Sequence, residues 1–138
     1  MAMIASEVAD VIQRLEPSGK YWMAHFQHSG NPEVELLILD VNGRPCPFRA
    51  EHARICLGRL EMLVAEMIAR LMAVGADPLF PPPASRKWRF EGLEFTLGPS
   101  EGVGVFTLEE EEGWEYLYVR FMVDLVDGVA RAGRAETY

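Results

Sequence analysis

The chain has 138 residues and only two cysteines, Cys46 and Cys56. They form no CxxC and are too few for a disulfide framework in a domain of this size. Two ordinary reduced thiols in a cytoplasmic protein are expected, since Cys56 falls inside a predicted helix. Lysine is almost missing: of 13 basic residues only Lys20 and Lys87 are lysines. No window approaches about 18 uninterrupted apolar residues, so no membrane-spanning helix is predicted. The first residues, with Glu7 and Asp10, lack the basic-then-apolar pattern of a signal peptide. No serine lies in a GxSxG context, and Ser6, Ser18, Ser29, Ser85 and Ser100 all fall at caps or turns.

What is present is a foldable, acidic composition. Apolar residues make up 49%, aromatics 10%, and the net charge is −8. That is too hydrophobic for a disordered chain and long enough for one core. A single domain over 1–138 is expected. A carboxylate-rich surface repels phosphate, which argues against nucleic acid as a partner. The acidic excess is heavier in residues 86–138 than in 1–85.

Ile4, Val8, Val11, Ile12 and Leu15 recur at helical spacing, predicting a short helix over about 5–16 with Ser6 as its cap. Residues 20–28 and 33–41 read as two strands of a hairpin around the turn cluster Ser29-Gly30-Asn31-Pro32. The run Leu36–Leu39 suggests a strand covered on both faces. Asn42-Gly43 is a turn signal, and the prolines flanking Cys46 allow at most a brief edge strand over 44–48. Residues 50–74 read as one long helix whose core arc runs from Ala53 through Cys56, Leu60 and Met67 to Leu71. His52, Arg59, Glu66 and Arg70 share one flank of it. Its back carries Ile55, Gly58, Met62, Ala65, Ala69 and Met72 with few charges. The N-terminal helix could cover that back, or it could be a homodimer or helix-packing face.

Residues 77–85 form a Pro-rich connector within the domain, stiffened by Pro81-Pro82-Pro83. The second half reads as strands near 93–97, 103–108, 114–126 and 129–132, separated by turns at 98–102, 109–113 and Asp127-Gly128. Leu117, Phe121, Leu125 and Val129 also fit a helical stripe, but the β-branched and aromatic content favours strand. The expected fold is α+β: an antiparallel sheet of about five to six strands, the 50–74 helix on one face, and a short N-terminal helix.

Chemistry-bearing residues are sparse. His25 and His28 form HxxH, but on a strand that odd spacing sends them to opposite faces, so they do not chelate together, and no metal or other cofactor is expected. Cys46 is the better nucleophile candidate, because Cys56 lies on the core arc. The Gly98–Gly104 stretch carries Glu101 and reads as a hairpin turn rather than a phosphate cradle. Arg86-Lys87-Trp88-Arg89 is a small basic patch suited to pairing with acidic loops or to binding an anionic strip on a protein. The conspicuous run is Glu109, Glu110, Glu111 and Glu112, followed by Trp114. It reads as a solvated loop or as an anionic docking element with an aromatic anchor.

The layout EVELLILDVNG, then EHARICLGRLEMLVAEMIARL, then GLEFTLGPSEGVGVFTLEEEEGWEYLYVRF with a terminal Asp-Gly hairpin resembles small acidic α+β immunity proteins of bacterial polymorphic toxin systems. The resemblance covers 20–132 and is one of pattern, so it carries over no functional residues. It implies a non-catalytic protein that binds and blocks a basic toxin or effector. The dimeric type III secretion chaperones are a second comparison, which implies a helical C-terminus and a homodimer. A third reading is a small enzyme with a site dispersed over His25, His28, His52 and Cys46.

Overall fold

The computed structural model describes residues 4–28, 30–75, 88–96, 98, 101–110, 113–124 and 129–137. For 72–75, 88, 108–110, 113–116, 124 and 129–137 it describes the backbone alone. The chain opens with helix α1 (Ala5–Gln13), followed by strands β1 (Glu16–Ser18), β2 (Tyr21–His28), β3 (Asn31–Val41) and the two-residue β4 (Arg44–Pro45). Helices α2 (Pro47–Gly58) and α3 (Leu60–Gly75) come next. Strands β5 (Trp88–Phe95), β6 (Glu101–Glu110), β7 (Gly113–Asp124) and β8 (Val129–Thr137) complete it. None of the described helices is long and apolar enough to cross a membrane.

The α+β class holds, but three features differ from the sequence expectation. First, the sheet is mixed and larger. Its order is β1-β2-β3-β5-β6-β7-β8, with β4 paired to β3. β5 lies parallel to β3, with Leu36 opposite Leu93 and Ile38 opposite Phe95. A parallel pair needs a long crossover, and the helical segment between β3 and β5 belongs to it. The N-terminal hairpin and the C-terminal meander thereby become one sheet.

Second, the 50–74 helix is two helices. It starts at Pro47, a residue suited to the first helical position because its missing N–H costs nothing there. It breaks at Arg59, which leaves helical geometry (φ −128°, ψ 29°) just after Gly58, a weak helix former. Leu57 and Leu60 on either side of the break are both buried. Third, α1 is shorter than expected, and its cap position is Ile4 rather than Ser6. The three exposed residues of β1 add a strand that no hydrophobic pattern announced.

One face of the sheet carries the core. Ala24 and Phe26 of β2 lie in register with Leu36 and Val34 of β3. Phe95, Phe106 and Phe121 continue that face across β5, β6 and β7, all essentially solvent-free. Ala53, Cys56, Leu57, Leu63 and Met67 of α2 and α3 complete the same core, with Val8 and Val11 of α1 at its margin. α1 lies along α2. The Asn42-Gly43 turn joins β3 to β4 with both residues at positive φ (55° and 77°), a conformation those two residue types tolerate best. Asp40 secures it by accepting the Gly43 N–H, and also accepts the indole N–H of Trp22 at 2.7 Å.

The C-terminal segment is strand rather than helix, with β8 paired along β7. The helical ending that the secretion-chaperone comparison implies is therefore not what residues 113–124 and 129–137 form. The Pro-rich connector at 77–85 lies outside the described residues.

Candidate functional site

The side of the sheet opposite the helices has no described element over it. Register fixes what it carries. Reading across β2, β3, β5, β6 and β7, one row is His25, Glu35, Gly92, Val105 and Tyr118. The adjoining row is Met23, Leu37, Glu94, Val103 and Arg120. The run Leu36–Leu39 is thus covered on one face only: Leu36 and Ile38 are buried, while Leu37 and Leu39 remain partly exposed. Met122, farther along β7, is 53% exposed. Apolar and charged side chains are thus interspersed on this face.

Two carboxylates stand at its centre. Glu94 sits in register between Leu37 and Val103. Burial pushes its pKa up from the ordinary carboxylate value, and the negative charge of Glu35 pushes it the same way. Glu35 in turn has His25 Nε2 at 4.0 Å from its Oε2, a weak contact between half-exposed side chains. Gly92 is what lets these strands meet. It follows an irregularity in the β5–β6 register, and a Cβ there would lie 2.6 Å from the Glu35 carbonyl oxygen. At the start of β5, Arg89 pairs with Glu91 at 3.1 Å, and Thr107 donates its hydroxyl to the same carboxylate. Arg86 and Lys87 of the same basic patch lie outside the described residues.

Of the glutamate run, Glu109 and Glu110 lie at the described end of the β6–β7 ladder. Glu109 and Glu110 belong to β6 and not to a turn, as the sequence suggested. Glu109 pairs in register with Trp114, and Glu110 with Gly113. Glu111 and Glu112 lie outside the described residues, as do the side chains of Glu109, Glu110 and Trp114. On the helices, Gly58, Ala65 and Ala69 are exposed and Met62 is 71% exposed, whereas Ile55 packs against the core. α1 lies on α2 and leaves those α3 residues uncovered; the Met72 side chain is outside the described set.

The His and Cys residues do not assemble into one site. His25 is on the open face, whereas His28 packs edge-on against Phe90 at 5.5 Å, on the core side. His52 is 1% exposed, with neither ring nitrogen hydrogen-bonded. Burial lowers its pKa, and the nearby Arg49 adds to that. Cys46 sits at the N-cap of α2, and Arg49 Nη1 donates to its Sγ at 3.2 Å. Burial pushes the thiol up, but hydrogen bonds from Arg49 and Phe48 and the Arg49 charge outweigh it and leave the pKa lowered. Cys56 is raised by burial alone. Among the described residues, no three His, Cys, Asp or Glu side chains come together as a metal site.

Sequence reading missed the Glu35–Glu94 pair, because their proximity depends on the parallel pairing of β3 with β5. The signal available was the alternation Glu33, Glu35, Leu37, Leu39 against Val34, Leu36, Ile38. No protein-family model, curated protein or solved structure matches the chain.

Proposed function

We propose that this chain is a non-catalytic protein-binding module of the immunity or inhibitor type, acting in the cytoplasm, which uses an acidic surface to bind and block a basic partner such as a toxin or effector. The observation that carries the reading is the open sheet face, where Glu35 and Glu94 repel each other on an apolar ground. The His25 imidazole, 4.0 Å from Glu35, offsets this repulsion only when protonated. A lysine or arginine from a partner would relieve the repulsion, while Met23, Leu37 and Val105 supply area that excludes water. The net charge of −8 would steer a basic protein to this surface and speed its association. Glu109, Glu110 and Trp114, at the paired end of β6 and β7, extend the acidic surface in this reading together with Glu111 and Glu112, their neighbours in sequence.

The test is affinity capture from the source cell with the parent protein, with Glu35→Lys plus Glu94→Lys, and with the Glu109–Glu112 run changed to lysine. A basic protein held at low salt, released at high salt and lost in the first variant is the expected result. A complex unchanged by the Glu35 and Glu94 substitutions removes this face from the interface. A partner lost only with the second variant moves the site to the hairpin end.

A further inference from the structure

β1 is three residues long and pairs only with Tyr21–Met23, although β2 runs on to His28. Beyond Met23, the outer edge of β2 has no strand beside it among the described residues. The register tells which backbone groups this leaves open. Asp40 N–H donates to the Lys20 carbonyl at 3.0 Å, and the pairing of Tyr21 with Leu39 continues from there. In an antiparallel ladder, hydrogen-bonded and non-hydrogen-bonded pairs alternate. Trp22, Ala24 and Phe26 therefore turn their N–H and C=O groups toward β3. Tyr21, Met23 and His25 turn theirs to the other side. Those of Tyr21 and Met23 meet β1. Those of His25 open toward a cleft of about 610 Å³ walled by residues 13–18 and Met23–His25.

A register irregularity between Phe26 and His28 and the end of α1 flank this edge on either side of His25, but its own residues do little to block strand addition. Ala24–His28 contains no lysine, arginine, acid or proline, the residues with which sheet edges are commonly blunted. Its surroundings are specific in charge. Glu35 lies opposite His25 in register, and Glu16 lines the cleft. Arg14, the basic side chain in that wall, is engaged with Asp10 at 3.3 Å.

We propose that an extended segment of the basic partner adds to this edge as a strand, continuing the line of β1 and pairing its backbone with His25. Side chains of such a strand alternate between faces. Those on the His25 side share the face that carries Glu16 and Glu35, and are basic. Those on the Ala24 and Phe26 side are apolar. A second copy of this chain would bring another net −8 to the edge, which disfavours it as occupant. The proposal rests on the basic-partner reading for the charge of the occupant only.

Three short peptides test it by NMR: one alternating valine with lysine, one alternating valine with glutamate, and the lysine peptide N-methylated along one edge. The lysine peptide is expected to slow exchange of the His25 amide by about ten-fold or more, and the other two to leave it unchanged. An edge already protected in the dilute protein, or protected by raising protein concentration alone, overturns the proposal. So does an N-methylated or glutamate peptide that acts as well as the lysine peptide, or no effect from any of them. If the captured partner binds through Glu35 and Glu94 while the His25 amide still exchanges freely, strand addition fails and the binding reading stands.

Discussion

Glu94 stands beside Glu35 where β5 pairs in parallel with β3, and burial together with the charge of Glu35 holds its carboxyl above the ordinary 4.5. A group whose pKa is raised on folding stabilises the fold fully below its unfolded value. That contribution is lost as pH rises through the folded value. The charged form of Glu94 at pH 7 therefore opposes folding. Glu94→Gln is expected to be more stable than the parent at neutral pH, by less than about 1 kcal/mol because the side chain is half in water. The difference should vanish below 4.5. Urea midpoints followed across pH check this, and a variant less stable at neutral pH would count against the repulsion.

His52 makes the opposite contribution. Both its ring nitrogens are buried and unpartnered, and its pKa is lowered from 6.5 by burial and by Arg49. The folded state holds the neutral imidazole. Stability present above 6.5 is lost as pH falls through that value toward the lowered folded pKa. His28, also lowered by burial, adds to the same slope. His52→Phe is expected to flatten the acid limb and to gain about 1 kcal/mol at neutral pH, since it removes two unsatisfied buried groups while keeping a ring. Denaturation midpoints of parent and variant at pH values on both sides of 6.5 separate the outcomes.

The local patterns were legible in the sequence. The alternation over 114–126 points to β7, which runs Gly113–Asp124, and Asn42-Gly43 points to the β3–β4 corner, because each depends on residues close in the chain. What depends on distant partners was not legible. Gly58 alone does not stop a helix; the break at Arg59 accompanies burial of both Leu57 and Leu60. Glu16-Pro17-Ser18 carries no hydrophobic signal, and the helical spacing over about 5–16 takes in Glu16, so nothing in the pattern points to β1. The pairing of Leu36 with Leu93 joins segments far apart in the chain, and without it Glu35 and Glu94 look unrelated. The candidate site was therefore the least readable feature, although each strand that builds it was recognised.

Gly92 gives a mechanical test of that junction. Its missing Cβ leaves room for the Glu35 carbonyl, which would lie 2.6 Å from it and belongs to backbone that cannot swing aside. Gly92→Ala is expected to cost about 1–3 kcal/mol, the range of overpacked sites. Gly104→Ala should cost less, because the nearest atoms there belong to the flexible thioether end of Met67. Chemical denaturation of both variants ranks them. Equal costs would show that β5 does not approach β3 this closely.

The two thiols should differ in reactivity although both are buried. Thiolate is the reacting species, and its population follows pKa. At Cys46 the Arg49 guanidinium donates to Sγ, and backbone hydrogen bonds from Arg49 and Phe48 favour the charged form. Cys56 lies on the core arc, with burial as the sole cause of its raised pKa. Iodoacetamide at neutral pH is therefore expected to label Cys46 first and to leave Cys56 unmodified until the protein unfolds. Arg49→Met, which removes the charge and the side-chain donor but keeps much of the side-chain length, should slow labelling of Cys46 several-fold. Peptide mapping by mass spectrometry over a time course reads both sites at once. Faster labelling of Cys46 in the variant would mean that access, and not the charge of Arg49, limits this thiol.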